Sequence, residues 1–370
     1  MDYKNSFKVT ISLEPWFSSS YGFTMIHLYE ELGGRVSSGE AVLMHDGTGK
    51  ALKLVDTENY GTLTISKEGG LIYKIPIFIY KKEYDYIRNY LNISFLCGIT
   101  KKDFVANLHT STWKDIRAAI NALYPGKVDI RCESDIQNKE LTYYQNRETD
   151  ADFLRTLCSS WKRNSIFTFG WEGLMIKETR GKLNSYGQVE GYLEIHGESQ
   201  LTQLDNHEFR YQPELYKLLK NPWEDKDGTQ KEFKDYTDLE PINLRILKRY
   251  DKQVFVKTDY LPLVENREFN NLYMGSSYFQ HFRVTDQDIP KYKIGDVLKY
   301  VRTAESGKSP ESKKFNYTYY LVKSNELFIS ANDSEFLDED GRHQSWTSTL
   351  VGLEERGLYS VGTEVDPLDE

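Results

Sequence analysis

Through most of the first hundred residues apolar side chains return at every second position, and this period of two commits the region to strands with one buried face. The runs Phe7 to Leu13, Gly39 to Met44, Ala51 to Val55, Gly61 to Ser66 and Leu71 to Tyr80 read as such strands, joined by tight turns. His45-Asp46-Gly47-Thr48-Gly49-Lys50 supplies the glycines and Asp that a hairpin connection requires. The last third returns to the same pattern in Leu244 to Leu247, Gln253 to Lys257, Asp296 to Val301, Asn316 to Lys323 and Thr347 to Leu353. In Phe315 to Val322 one face carries Phe315, Tyr317, Tyr319 and Leu321 and the other Asn316, Thr318, Tyr320 and Val322, so this strand is covered on both sides. Composition agrees, since 27 Tyr, 18 Phe and 6 Trp make 14% of the 370 residues aromatic, and aromatics favour pleated, half-buried surfaces. Strand packing explains the aromatics better than a sugar-stacking surface. The expected class is mainly β, of the α+β type.

Between these blocks the period changes. In Thr112 to Tyr124 the residues Trp113, Ile116, Ile120 and Leu123 fall on one helical face, with Thr112 and Asp115 placed as a capping box and Pro125-Gly126 as a stop. A short β stretch over Lys127 to Cys132 and a strand over Leu141 to Gln145 follow. Thr149 to Trp161 reads as a second amphipathic helix, carrying Phe153, Leu154, Leu157 and Trp161, and Ser165 to Phe169 with Gly173 to Lys177 as a hairpin. From Thr179 to Glu240 the chain is more polar and reads as connecting strands and loops.

The chemistry-bearing patterns fail one by one. The turn at His45 to Lys50 would need Gly at Met44 and Ser or Thr at Ala51 to be a phosphate-binding loop. Asp225-Lys226-Asp227-Gly228 lacks the further oxygen ligands and closing Glu of a calcium loop. Cys97, Cys132 and Cys158 form no C-x-x-C pair and read as reduced thiols. The seven histidines make no H-x-x-x-H pair, Ser345 near His343 has no sign of an activating base, and no G-x-S-x-G elbow occurs. Glu148, Asp150 and Asp152 resemble the paired acids of a glycosidase. Thr149 as N-cap, with carboxylates in the positively polarised first turn, explains their positions without catalysis. No catalytic, cofactor-binding or metal-binding residue is therefore named, no cofactor is expected, and the chain is not expected to be an enzyme. The formal charge of −9, from 47 basic and 56 acidic residues without a basic run, disfavours a nucleic-acid grip. No apolar stretch approaches the ~20 residues of a membrane-spanning helix and no signal stretch opens the sequence.

One segment carries more information than the rest. Tyr143-Tyr144-Gln145-Asn146-Arg147-Glu148-Thr149-Asp150-Ala151-Asp152-Phe153-Leu154-Arg155-Thr156-Leu157 resembles the Q-Y-x-E-T-D-x-x-F-L-x-R-L signature of phage baseplate hub proteins, a group that includes the late control protein D family and the spike proteins of type VI secretion. In the family a strand passes through an acidic turn into a helix and then a hairpin, and Phe167 to Ile176 follows here in the corresponding place. Cys97-Gly98-Ile99 is similar to the glycine turn that closes the first sheet, and Ile294-Gly295-Asp296-Val297, Tyr319 to Val322 and Trp346 to Leu350 are similar to the second barrel. The likeness touches residues 85 to 180 and 285 to 355, and Asn146-Arg147 departs from the pattern, which has one residue before Glu.

The resemblance implies two tail-tube-like β-barrels with a small α/β insert. The corresponding divisions are a first barrel at 1–108, the insert at 109–180, connecting strands that complete the first barrel at 181–240, a second barrel at 241–358 and a tail at 359–370. It further implies a homotrimer, or a hexamer, that joins tail tube to spike or tip in the virion after synthesis in the host cytoplasm, with DNA as a partner only in transit. A tail-associated cell-wall hydrolase, a carbohydrate-binding adhesion module and a hexameric adaptor of a short-tailed phage are the alternatives.

Overall fold

The computed structural model describes residues 6–14, 17–19, 23–44, 59–67, 70–88, 90–134, 142–162, 165–178, 193–196, 201–209, 223–224, 230–231, 256–257, 270, 278–284, 292–301, 316–331 and 343–360. Seven strands come from the first hundred residues: β1 (Ser6–Glu14), β2 (Phe17–Ser19), β3 (Phe23–Glu31), β4 (Ser38–Met44), β5 (Asn59–Lys67), β6 (Gly70–Asp85) and β7 (Tyr90–Cys97). The middle of the chain supplies α1 (Asp103–Ala106), β8 (Leu108–Trp113), α2 (Ile116–Leu123), β9 (Val128–Ile130), β10 (Tyr143–Thr149), α3 (Asp150–Ser159), β11 (Ser165–Gly170) and β12 (Gly173–Glu178). The remainder contributes β13 (Leu193–His196), β14 (Leu201–Phe209), the short β15 (Trp223–Glu224), β16 (Gln230–Lys231) and β17 (Val256–Lys257), then β18 (Tyr278–Val284), β19 (Val297–Val301), β20 (Asn316–Ala331) and β21 (His343–Ser360). The class is mainly β, as the alternation implies, with the small α/β insert that the resemblance implies.

The strands are not divided into two separate closed barrels. Thirteen of them belong to one sheet, because β20 and β21, 16 and 18 residues long, extend through both halves. In the first half the pairing runs from β20 through β3, β4, β7, β6, β5 and β1 to β21, and β21 pairs β20 again. Among the described residues the β1–β21 seam consists of two residue pairs, Ser6 with Gln344 and Phe7 with His343. In the second half the order is β13-β19-β20-β21-β18-β14, and β13 and β14 end the sheet among the described residues. Here Tyr320, Leu321 and Val322 are all buried, as expected of a strand covered on both faces.

Inside the first half, alternate residues of each strand meet in one core: Ile26 and Leu28 of β3, Ala41 and Leu43 of β4, Ile75, Ile77 and Ile79 of β6, Ile93 and Phe95 of β7, and Leu327 and Ile329 of β20. Each such large aliphatic or aromatic side chain contributes about 1.5–3 kcal/mol by leaving water. Strand β3 escaped the sequence reading because a bulge between Phe23 and Met25 interrupts its alternation, so the buried positions run Phe23, Ile26, Leu28. The expected run Ala51 to Val55, the turns at 45–50 and 225–228, and Leu244 to Leu247 lie outside the described residues, as does most of Gln253 to Lys257.

The insert packs into a second core that also takes in Leu32, Phe78, Leu298 and Leu321 from the large sheet and its connections. Phe153, Leu154 and Leu157 of α3 pack with Ile116 and Ile120 of α2, Phe167 and Phe169 of β11 and Trp161. Helix α2 starts later than the sequence suggests: Thr112 and Trp113 belong to β8, and Asp115 is the N-cap, its side chain accepting from the Ala118 amide at 2.8 Å. Pairing of Thr112 with Tyr144 and Trp113 with Tyr143 holds these two residues in the β8–β10 ribbon, which propensity alone could not reveal. The insert docks edge-on against the loop after β3, with Gly33 N donating to Phe167 O at 2.8 Å and Ser37 N to Phe169 O at 3.0 Å. Gly98, at φ 76°, permits this approach, because a Cβ there would lie 2.6 Å from Gly170 O.

Candidate functional site

Two places concentrate polar groups. The first is the acidic turn. Thr149 caps α3 by accepting from the Asp152 amide at 3.1 Å, and its hydroxyl donates to Asp152 Oδ2 at 2.9 Å, a side-chain bond that holds the capping hydroxyl in place. Asp150, buried at the first helical position, accepts from Gln145 Nε2 at 2.6 Å and faces His109 Nδ1 at 2.9 Å, whose N–H donates to the same oxygen. Arg147 is the extra residue of a bulge, since Asn146 pairs Thr110 and Glu148 pairs His109, and it takes φ 52°. Beneath this bulged turn the Gln145 side chain is buried.

Glu148, Asp150 and Asp152 thus sit where the sequence placed them, as parts of a helix start. Gln145 and His109 were not singled out from sequence. Gln145 lies in the motif, but its burial follows from the bulge, and His109 reaches Asp150 from 41 residues away. Among the described residues no group of three His, Cys, Asp or Glu converges as metal ligands. The three cysteines are unpaired by disulfide and buried, which pushes the Cys97 and Cys158 thiols far up and that of Cys132 up to about 11, so none is an activated nucleophile at neutral pH.

The second place is a cleft of about 440 Å³ between the insert and the large sheet. Its floor is one face of the β9–β12–β11 sheet, where Lys127, Asp129 and Arg131 alternate along β9 and its flanks, with Met175 beside Asp129 and Thr168 beside Met175. Its wall comes from Glu30 of β3, Tyr73 of β6, Asn325 of β20 and the 292–294 loop. Glu30 accepts from Asn325 Nδ2 at 3.0 Å and from the Trp171 amide at 3.2 Å, and burial pushes its carboxyl above the usual range despite these two bonds. Tyr73 is raised as well, first by burial and then by the nearby acids, and its ring meets Trp171 edge-on at 5.8 Å. Asn325 Nδ2 also donates to Tyr292 O at 3.2 Å. Two buried atoms here, Trp171 Nε1 and Asn325 Oδ1, have no partner among the described residues, and a buried polar group left unsatisfied costs about 1–3 kcal/mol. Next to the cleft, Lys177 of β12 and Asp296 form a buried ion pair at 3.2 Å, and Asp296 also accepts from the Lys293 amide at 3.0 Å.

The long shared strands, the α/β insert and the strand, bulge, helix and hairpin of the acidic turn make up a fold shared with two solved tail proteins. The chain is similar to the 43 kDa tail protein of prophage MuSo2 from Shewanella oneidensis, with 12% identity over 94% of this chain and 97% of that one at a TM-score of 0.53. It is also similar to the tail protein from Neisseria meningitidis MC58, with 10% identity over 96% and 98% of the two chains at a TM-score of 0.56. No family model matches the sequence, and no curated protein matches it. Among the described residues no helix is long and apolar enough to cross a membrane.

Proposed function

We propose that this chain is a structural component of a phage tail, a hub that assembles as a ring of three, joins the tail tube to the spike or tip, and forms a conduit for DNA during ejection. The observation that carries this reading is a fold shared with two phage tail proteins over 94% and 96% of the chain. The sheet supports assembly: β13 and β14 end it with unpaired edges among the described residues, and subunit contact is one way to cover such edges. In this proposal residues 109–180 are an insert beside two tube-like halves that β20 and β21 both share, and the protein acts in the virion without catalysis.

The mass of the assembly, measured on the purified protein and on particles, tests the ring. Three subunits are expected, and a strictly monomeric chain in both settings would refute the proposal. Absence of the ring only in isolation is compatible with it, because adjoining proteins supply part of the assembly free energy. The conduit has a separate test. Basic walls would hold DNA through phosphate contacts that weaken steeply with salt, whereas a surplus of nine acids over bases suits a surface along which DNA slides. Duplex DNA should therefore bind weakly even at low salt, and tight, salt-sensitive binding in a gel-shift titration would overturn the sliding surface.

A further inference from the structure

We propose that Glu30 is a proton-operated latch between the insert and the large sheet: protonated, it holds the β11–β12 turn in its seat, and ionised, it loosens that seat. The proposal does not depend on the tail reading. The turn and the sheet grip each other at this point. Trp171, in the turn between Gly170 and Gly173, buries its ring in the core of the first half, 3% exposed and edge-on to Tyr73 at 5.8 Å. In return Glu30 of β3 reaches the turn, its Oε2 accepting from the Trp171 amide at 3.2 Å and its Oε1 from Asn325 Nδ2 of β20 at 3.0 Å. The carboxyl fits because Gly170 carries no side chain, since a Cβ there would lie 2.9 Å from Oε2. One carboxyl thus joins β3, β20 and the insert.

What this carboxyl lacks is a cation. Among the described residues both of its bonds come from neutral donors, and no Lys, Arg or His pairs with it. Two neutral bonds replace little of the hydration that a carboxylate loses when it is enclosed, so burial favours the protonated form. The charged groups that face it from the packed elements oppose each other in sign, Glu172 of the turn against Lys293 of the 292–294 loop. Tyr73 of β6 and the Cys97 thiol at the end of β7 are themselves raised by burial and stay neutral near pH 7. On the cleft floor Asp129 is bound to Arg131 at 2.9 and 2.7 Å, with Lys127 beside them. A proton on Glu30 also brings a donor next to the Asn325 amide, whose Oδ1 has no partner among the described residues. The sign follows: a carboxyl raised in the seated state contributes fully at low pH, and its contribution is lost as pH rises through the raised value. The cleft of about 440 Å³, which Glu30 lines, gives the proton its route.

Hydrogen exchange of two backbone amides in the full chain reads the latch: Trp171 N–H, which bonds Glu30, and Ser37 N–H, which donates to Phe169 O across the junction at 3.0 Å. Protection factors, corrected for the intrinsic exchange rate, are compared at pH 5 and pH 8 with those of β5, which lies between β1 and β6. Both amides should be less protected than β5 at either pH, because the turn opens without the whole fold opening. Their protection should fall about tenfold from pH 5 to pH 8 in the native chain and stay level in Glu30→Gln, which keeps an acceptor and cannot ionise. Glu172→Gln should retain the fall. Level protection in the native chain, a fall that persists in Glu30→Gln, or protection equal to that of β5 throughout would overturn the latch. Loss of the fall in Glu172→Gln would assign the proton to Glu172 and overturn it as well. The 13C shift of the Glu30 carboxyl in the native chain supplies a reading that needs no variant: a titration midpoint above the ordinary carboxylate range is expected, and a midpoint within that range refutes the proposal. Each reading is made within one chain, so failure of ring assembly would leave its outcome unaffected.

Discussion

The interior of the first half of the large sheet and the insert with its junction solve the same packing problem with different materials. The sheet interior is built from aliphatic and aromatic residues at alternate positions of β3 to β7 and β20. The insert and its junction are equally buried, yet Gln145, Asp150, Ser165, Thr168, Lys177, Asn270 and Asp296 are buried there as well. Each of these must meet a specific partner: Gln145 meets Asp150, Lys177 meets Asp296, and Asn270 donates to Ser159 O at 2.8 Å and Lys162 O at 2.6 Å. Apolar contact is tolerant of small shifts, whereas a buried hydrogen bond holds over a few tenths of an ångström. The sheet interior therefore provides bulk stability, and the polar junction fixes how the insert sits on the sheet.

The sharpest way to break this contrast is the buried ion pair. Replacing Lys177 by Met leaves Asp296 charged and unpaired in the junction and is expected to cost about 3–5 kcal/mol, read as a lowered urea midpoint. Adding Asp296→Asn, which keeps an acceptor for the Lys293 amide, should recover part of the loss. If Lys177→Met costs no more than Ile77→Val in the sheet interior, about 0.5–1.5 kcal/mol, the junction does not depend on its polar pairs.

Next in size is the helix of the acidic turn. Leu157→Ala should cost about 2–5 kcal/mol, because Leu157 is buried at the centre of the insert core. Asp150→Asn should be much milder, since Asn keeps an oxygen to accept from Gln145. Thermal unfolding of both variants measures this. The opposite pattern, a stable Leu157 variant and an Asp150 variant that folds and assembles but abolishes infectivity, would make the acidic cluster functional rather than structural.

The smallest effect sharpens the comparison through pH. The folded-state pKa of Glu30 is raised, chiefly by burial, so its stabilising contribution is full below the ordinary carboxylate range and is lost as pH rises through the raised value. Glu30→Gln removes that loss. Its stability relative to the native chain should therefore increase between pH 4 and pH 7, seen as the difference in urea midpoints at the two values. A difference that stays constant or falls would mean that the ionised carboxylate is the favoured form at the junction.

The sequence by itself determined whatever depends on local periodicity. Alternation placed β1, β4, β5 and β6, the helical spacing of Phe153, Leu154 and Leu157 placed the buried face of α3, and Thr149 marked its cap with Asp150 and Asp152 in the first turn. The motif that resembles the hub proteins was legible for the same reason, being contiguous in the chain. Tertiary structure decided the rest. That β20 and β21 continue past the predicted strands and join the two halves into one sheet depends on pairing with β3 and β1, some 300 residues distant, and no local pattern encodes such a partner. A bulge hid β3, strand pairing moved Thr112 and Trp113 from helix to strand, and the cleft was assembled from six separated segments, those holding Glu30, Tyr73, Lys127 to Arg131, Thr168 to Met175, Tyr292 to Ile294 and Asn325. Periodicity states which face of an element is buried; only the folded chain states against what, and a buried donor or acceptor has meaning only once its partner is in place.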